Sequence, residues 1–452
     1  MLKNISIYAV FGVVAKSFSL LITPIIARNL SVEEFGSYII LISMIMLIQS
    51  VFLFGFEHSL NYFFNKFKSE YSKKILVSTQ TIFILLVTLF FLIILNLLLS
   101  NKVDNINFIL AWGAGSVLVA YFTTLLKVNL CVVAFVKNQM LQSVVLLCLV
   151  YIFLVVFSYS LQGIIYSYIA SLLISIIFVY PHVKSYLSAN FSINLLKKIL
   201  VYGLPLMPSG ALLWASMQLD RYFILYFLDE YSLGIYSFAL AIVMIPLFLK
   251  GAVKSAIDPF IMKSYHNKPT QTKTIISNYF SLNLFVFSFL LIFLSSFSSD
   301  IVILMGGDKY LESTPYIPWL LLITCLTTCN QYFIYGINFS KKNSYILKGL
   351  FYMLFINVIL MFLSIKYFGI YGVIFSNLIA NAIYTLYLYI KSNELYPINH
   401  NRNHNLVILI SMIFIFTVNV FVLDDGYMMK VLLLILYVFI SIPKLLRGML
   451  HG

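Results

Sequence analysis

The sequence predicts an all-α membrane protein of about fourteen transmembrane helices, and three observations lead to this fold class. Hydrophobic residues make up 62% of the 452 residues, and only 10% are charged. A soluble domain of this length would need many more charged residues to cover its surface. The apolar residues fall in runs long enough to cross a hydrocarbon core of about 30 Å, which takes roughly 20 helical residues. None of the runs shows the alternating polarity of a transmembrane β-barrel.

The apolar runs divide into two consecutive sets of six helices and a final pair. The first set lies near 5–27, 37–62, 75–99, 106–131, 139–158 and 163–187, and the second near 199–227, 233–257, 275–297, 315–339, 345–366 and 370–391. The final pair lies near 405–423 and 428–446. The first run is longer than the apolar region of a signal peptide, so it is interpreted as a retained helix. Prolines predict breaks in helix 7, at Pro205 and Pro208, and in helix 8, at Pro246.

Charged residues alternate along this helix count. Most lysines fall in loops on one side, and most acidic residues fall in loops on the other. Because cytoplasmic loops are enriched in Lys and Arg, the chain is expected to cross the membrane fourteen times with both termini in the cytoplasm. The net charge of +14 is attributed to these loops and not to nucleic-acid binding.

The loops are too short for a catalytic domain outside the membrane, which predicts that the protein is not an enzyme. No residues are singled out as catalytic. The four cysteines lie in or beside apolar runs without the neighbours that would complete a metal site, so neither a metal nor a cofactor is predicted.

Two segments recur in the second set of helices. The run from Leu30 to Tyr38 resembles the run from Leu228 to Tyr236, and Phe52–Ser59 resembles Phe248–Ser255. An even number of spans separates the copies, so the two halves are expected to be parallel repeats. The predicted domains are therefore a six-helix lobe at 1–190, a second six-helix lobe at 191–395, and two additional helices at 396–452.

The repeated segments also carry a family resemblance. Pro24-Ile-Ile-Ala-Arg28-Asn-Leu30 followed by Ser-Val-Glu-Glu-Phe-Gly-Ser-Tyr38 resembles the opening of bacterial polysaccharide flippases. Gly203-Leu-Pro205, Asp220-Arg221 and Gly234-Ile-Tyr236 resemble the seventh helix and following turn of the same proteins. These are the O-antigen (Wzx-type) flippases of the multidrug/oligosaccharidyl-lipid/polysaccharide (MOP, MATE-like) exporter superfamily. The chain departs from the commoner wording of the turn at Ser31-Val32, where Gly-Pro is frequent.

The resemblance implies a V-shaped, two-lobe transporter in the bacterial cytoplasmic (inner) membrane. It would move an undecaprenyl-pyrophosphate-linked oligosaccharide, an O-antigen or capsule repeat unit, from the cytoplasmic to the periplasmic leaflet by alternating access. The implied partners are that glycan, membrane lipids, a polysaccharide polymerase and chain-length proteins. The protein is expected to act as a monomer.

Cations inside the spans are the expected feature of a cavity that accepts a pyrophosphate, because a glycan and its phosphates cannot cross hydrocarbon unsolvated. The sequence places candidate substrate-binding residues at Lys16, Arg221, Lys250, Asn377 and Asn381. Candidates for ion coupling or gating are Glu57 and Asp220. The charged candidates could equally form structural ion pairs, and the two asparagines could join helices to one another. Weaker candidates, closer to helix ends and able to reach the headgroups, are Arg28, Lys127, Lys254 and Lys348.

Two other transporters remain as alternatives. A MATE-like drug/cation antiporter would have the same two-lobe plan, but it would favour buried acids, and here buried bases outnumber Glu57 and Asp220. A peptidoglycan-precursor lipid flippase carries a more negative headgroup, so a denser cluster of basic residues would be expected.

Overall fold

The computed structural model describes residues 18, 20–99, 106–267, 269–398, 402–421 and 427–451. These residues are helical almost throughout, and they contain no β-strand. In chain order the helices are α1 (Leu20–Asn29), α2 (Val32–Phe52), α3 (Phe56–Lys66), α4 (Glu70–Leu99), α5 (Ile106–Val128), α6 (Val132–Tyr151), α7 (Leu161–Val183), α8 (Ile193–Gly203), α9 (Met207–Phe227), α10 (Glu230–Asn267), α11 (Pro269–Ser296), α12 (Ser298–Gly306), α13 (Ile317–Phe339), α14 (Ser344–Leu395), α15 (Arg402–Phe421) and α16 (Tyr427–His451). Short 3₁₀ or π segments occupy Ile152–Val156, Lys184–Tyr186, Leu204–Leu206 and Asp308–Tyr316.

The helices agree with the predicted span count. Among the described residues, ten helices are long and apolar enough to cross a membrane, and shorter apolar helices occupy the positions of the first, thirteenth and fourteenth predicted spans. One of the ten, α14, contains two predicted spans, because the backbone leaves helical geometry at Gly369 (φ 54°, ψ −133°). The chain is a multi-pass membrane protein whose helices are consistent with fourteen spans.

Outward-facing apolar side chains mark surfaces suited to contact with lipid. On α4, Leu89 and Phe90 are 58% and 60% exposed, and Leu97 is 77% exposed. A soluble helix would place such residues in a core, whereas exposed apolar side chains suit a helix that faces the hydrocarbon of a membrane.

The chain divides into two compact units, residues 1–219 and 220–452. In the first unit, a buried polar chain joins three helices at the centre of an aromatic and aliphatic core. The Gln80 amide donates to the Ser59 hydroxyl at 2.9 Å, and the Tyr121 hydroxyl donates to Gln80 Oε1 at 2.9 Å. The chain therefore ties α3, α4 and α5 together.

In the second unit, the last two helices pack against α11. The Tyr437 hydroxyl of α16 donates to the Phe285 carbonyl at 3.2 Å. From α11, the Ser288 hydroxyl donates to the sulfur of Met412 on α15 at 3.1 Å. The three-part division predicted from the sequence stays a prediction.

The repeated turn is a helix N-cap in both units. The Ser31 hydroxyl accepts from the Glu34 amide at 3.1 Å, and Glu34 Oε2 accepts from the Ser31 amide at 2.9 Å, which forms a capping box. In the second unit, Asp229 Oδ1 accepts from the Ser232 amide at 2.6 Å. The conserved spacing between the two copies therefore has a physical basis, since Ser and Asp both satisfy the free amides of a first helical turn.

The helix breaks agree with only part of the prediction. The break in helix 7 is confirmed, because Leu204–Leu206 is a 3₁₀ segment between α8 and α9. The break in helix 8 is wrong, because α10 runs through Pro246 without interruption. Helix 2, predicted as continuous over 37–62, ends at Phe52 and restarts at Phe56 as α3.

Candidate functional site

The break between α2 and α3 borders a cavity in the first unit. Phe54 and Gly55 adopt left-handed backbone angles, with φ of 48° and 67°. Gly203, at the end of α8, packs directly on this turn. A Cβ on Gly203 would lie 2.7 Å from the Phe54 carbonyl oxygen, and a Cβ on Gly55 would clash with the Gly203 carbonyl. The two helix breaks of this unit therefore meet through backbone contact that only glycine permits.

Glu57 and His58 line that cavity, which has a volume of about 400 Å³. Polar lining also comes from Gln49, Ser50 and Ser209. Glu57 is half-buried and His58 is exposed. Because both residues follow directly on the left-handed turn, a change of its backbone would move two ionisable groups.

The other predicted residues of the first unit have no comparable setting. Lys16 lies outside the described residues. Arg28, at the end of α1, is exposed. Lys127 is also exposed, and its ammonium lies 4.8 Å from the ring centroid of Phe135, which is a cation–π contact.

Asp220 and Arg221 begin the second unit on α9. Asp220 Oδ2 accepts from the Tyr236 hydroxyl of α10 at 2.5 Å, and its Oδ1 accepts from the Arg221 amide at 2.9 Å. Arg221 is only 8% exposed, and within the described residues its buried Nε has no hydrogen-bond partner. Asp220 is thus engaged in joining two helices, while Arg221 keeps an unmet donor.

Lys250 connects α10 to α13. Its ammonium donates to the carbonyl oxygen of Thr327 at 2.9 Å. No carboxylate of the described residues lies within ion-pair distance of Lys250 or of Lys254. A neutral carbonyl satisfies a hydrogen bond but does not cancel the charge, so Lys250 is an uncompensated cation inside the span of α10.

Asp258 is a residue that the sequence analysis missed. The Tyr335 hydroxyl of α13 donates to Asp258 Oδ1. The predicted end of helix 8 at residue 257 left this acid outside the span, whereas α10 continues to Asn267. The signal available in the sequence was the four-residue spacing of Lys250, Lys254 and Asp258, which puts them on one helix face.

The two asparagines of α14 are hydrogen-bonded within their own helix pair. The Asn357 amide donates to Asn377 Oδ1 at 2.8 Å, across the break at Gly369. The Asn381 amide donates to the Asn377 carbonyl at 2.8 Å. The first contact joins the two halves of α14, and the second lies within its second half. Lys348, near the start of the same helix, is exposed.

Known proteins resemble the chain in family and in fold. A protein family described as "Polysaccharide biosynthesis protein" matches residues 1–265. No curated protein sequence matches the chain.

Solved structures of transporters share the fold. The inward closed conformation of the lipid II flippase MurJ superposes with a TM-score of 0.77 at 16% identity, covering 98% of this chain and 99% of that one. An inward-facing multidrug resistance MATE family transporter of the MOP superfamily gives 0.65 at 15% identity, covering 84% and 95%. A mutant of the Vibrio cholerae MATE transporter VcmN gives 0.58 at 16% identity, covering 87% and 96%. At these identities the likeness is one of fold.

Proposed function

Because the chain belongs to the polysaccharide biosynthesis protein family, we propose that it is a flippase for a lipid-linked glycan and not an enzyme. The substrate is an undecaprenyl-pyrophosphate-linked oligosaccharide, such as an O-antigen or capsule repeat unit. It passes from the cytoplasmic to the outer leaflet of the bacterial inner membrane by alternating access. A polymerase and chain-length proteins use the product, and both termini lie in the cytoplasm.

The observation that carries this proposal is the uncompensated charge of Lys250. An ammonium inside a membrane span is costly unless something neutralises it, and the described residues provide only the Thr327 carbonyl. A pyrophosphate supplies the missing negative charge and strong acceptor oxygens. Arg221, with its unmet Nε donor, is a second group that an anion would satisfy.

The charge balance also bears on the cation antiporter. A transporter of organic cations needs a carboxylate that is free to meet its substrate or a proton. In the second unit, Asp220 already accepts from Tyr236 and from a backbone amide, and Asp258 accepts from Tyr335. This leaves Glu57, on the cavity of the first unit, as the carboxylate that such an antiporter would use. The uncompensated ammonium of Lys250 would in addition repel a cationic drug, so the setting of Lys250 on α10 favours an anionic substrate.

Transport in reconstituted vesicles tests the proposal. Purified protein is placed in liposomes with a fluorescent undecaprenyl-pyrophosphate-linked sugar, and the fraction reaching the outer leaflet is measured by quenching. We expect Lys250→Gln to slow transport about tenfold, which corresponds to loss of one charge-assisted contact of roughly 1.4 kcal/mol. Lys348→Gln is the matched control, because Lys348 is exposed near a helix start.

Each other result has a definite meaning. Failure of the unmodified protein to move the lipid, together with uptake of a cationic dye against a proton gradient, would favour the MATE-like antiporter. Preference for a peptidoglycan precursor over other undecaprenyl-linked glycans would narrow the substrate to that class. Equal rates for Lys250→Gln and Lys348→Gln would remove the role of Lys250.

A further inference from the structure

Two polar contacts set a register between α10 and α13. Lys250 contacts Thr327, and Asp258 contacts Tyr335, so both pairs are separated by 77 positions along the chain. The two helices therefore run in the same direction, and eight residues of one match eight residues of the other. Eight residues span about 12 Å in an α-helix, so a third level lies midway between the two contacts.

Lys254 and Gln331 occupy this middle level. They lie four residues beyond Lys250 and Thr327 and four before Asp258 and Tyr335, which places them on the same facing sides. Unlike the other two pairs, they are not joined. Within the described part of the chain, Lys254 is exposed and has no hydrogen-bond or ion-pair partner.

Gln331 is the unusual member of this pair. It is 7% exposed, and its side-chain amide lies beside the hydroxyl of Tyr332, but its buried Oε1 accepts no hydrogen bond from any described residue. A buried polar atom without a partner costs about 1–3 kcal/mol, so an unpaired acceptor of this kind marks a position where a donor is expected.

The charged residues near Gln331 restrict which chemical group can act as this donor. A phosphate has no hydrogen to give to Gln331, and Asp258 would repel it. A metal cation would accept oxygen ligands, but Lys250 and Lys254 would repel it. A neutral hydroxyl meets every requirement, because it donates to Gln331 or Asp258 while it accepts from Lys254.

We propose that Lys254, Gln331 and Asp258 form a subsite for a sugar hydroxyl of the transported glycan. This inference rests on the proposed flippase function and deepens it, because it separates recognition of the sugar from recognition of the pyrophosphate. Any sugar offers such a hydroxyl, so the subsite senses that a glycan is attached and does not depend on which glycan it is.

Lipid binding to the purified full-length protein tests the subsite. Native mass spectrometry in detergent gives Kd for two probes, undecaprenyl pyrophosphate and the same lipid carrying one N-acetylglucosamine. We expect the sugar-bearing lipid to bind about tenfold more tightly, as two or so net hydrogen bonds would give. Gln331→Leu should reduce that ratio to about two without changing Kd for the bare lipid.

Asn330→Leu is the matched control. Asn330 is also 7% exposed and also has a buried amide oxygen without a described partner, but it lies one residue from Gln331 and so on a different helix face. The ratio should be unchanged in this variant. Both substitutions replace an unsatisfied buried amide by an apolar group, so both proteins are expected to fold.

The outcomes distinguish the two proposals. Failure of the unmodified protein to bind either lipid contradicts the flippase function itself. Equal binding of both lipids, or an unchanged ratio in Gln331→Leu, overturns the sugar subsite and leaves only water at this level. Equal weakening of both lipids by Gln331→Leu would also overturn it, because the residue would then act on the pyrophosphate or on the packing of α13.

Discussion

The two repeats use corresponding positions for different purposes. In the first unit the buried Tyr38 hydroxyl pairs with the Tyr168 hydroxyl at 3.1 Å, whereas in the second unit Tyr236, at the corresponding position, donates to Asp220. In both units a buried tyrosine near the start of a helix forms a hydrogen bond to another helix. Its partner has changed from a neutral hydroxyl to a carboxylate.

The two copies also differ at three positions that are spaced one helix turn apart. Phe54, His58 and Tyr62 of the first unit correspond to Lys250, Lys254 and Asp258 of the second. The shared glycine behaves differently as well. Gly55 is left-handed within a helix break, whereas its counterpart Gly251 lies inside the continuous α10. The first unit thus has a helix break next to a cavity, and the second has a charged helix face. The two units thus share a repeated helical arrangement, and substitutions at single positions give each unit different properties.

The largest expected effect concerns the shared glycine. Gly55→Ala forces a left-handed alanine into contact with Gly203, which should lower the free energy of unfolding by at least about 2 kcal/mol. Gly251→Ala should be neutral or slightly stabilising, since alanine is the better helix former. The denaturation temperature in detergent checks both variants. Similar losses in the two would mean that the units do not differ at this position.

The second-largest effect is a difference in stability between variants of Tyr236 and Tyr38. Tyr236→Phe removes the hydroxyl donor from a carboxylate and should cost about 2 kcal/mol of unfolding free energy. Tyr38→Phe removes a bond between two neutral hydroxyls and should cost about 1 kcal/mol. Thermal unfolding of the two variants side by side measures the difference. Asp220→Asn in the Tyr236→Phe background should recover part of the loss, because an amide is less costly to leave unpaired than a carboxylate.

The smallest expected effect on stability lies in the cavity of the first unit. Glu57→Gln should change the free energy of unfolding by less than about 0.5 kcal/mol, since Glu57 is half-buried beside a cavity. If Glu57 couples transport to protons, this variant should lose the dependence of the vesicle transport rate on pH. A pH profile that is identical in Glu57→Gln and in the unmodified protein would assign Glu57 a structural role.

Some of the candidate residues could be predicted from the sequence, and others could not. Lys250 was predicted because a lysine in an apolar run is conspicuous. Asp258 was missed because it lies beyond the end that hydropathy assigned to its helix. The open acceptor of Gln331 had no sequence signal, since a glutamine in a span is equally consistent with a bond to a neighbouring helix.

The sequence by itself determined the membrane class, the number of spans and the parallel repeat. These properties depend on the length, hydropathy and order of local segments, which can be read without knowing what each segment contacts. The tertiary structure alone decided where helix 2 breaks and which polar groups are paired. The turn at Phe54 and Gly55 depends on the approach of Gly203, and the register of Lys254 with Gln331 depends on two contacts between α10 and α13. Contacts between residues that are distant in the chain leave little trace in its local pattern.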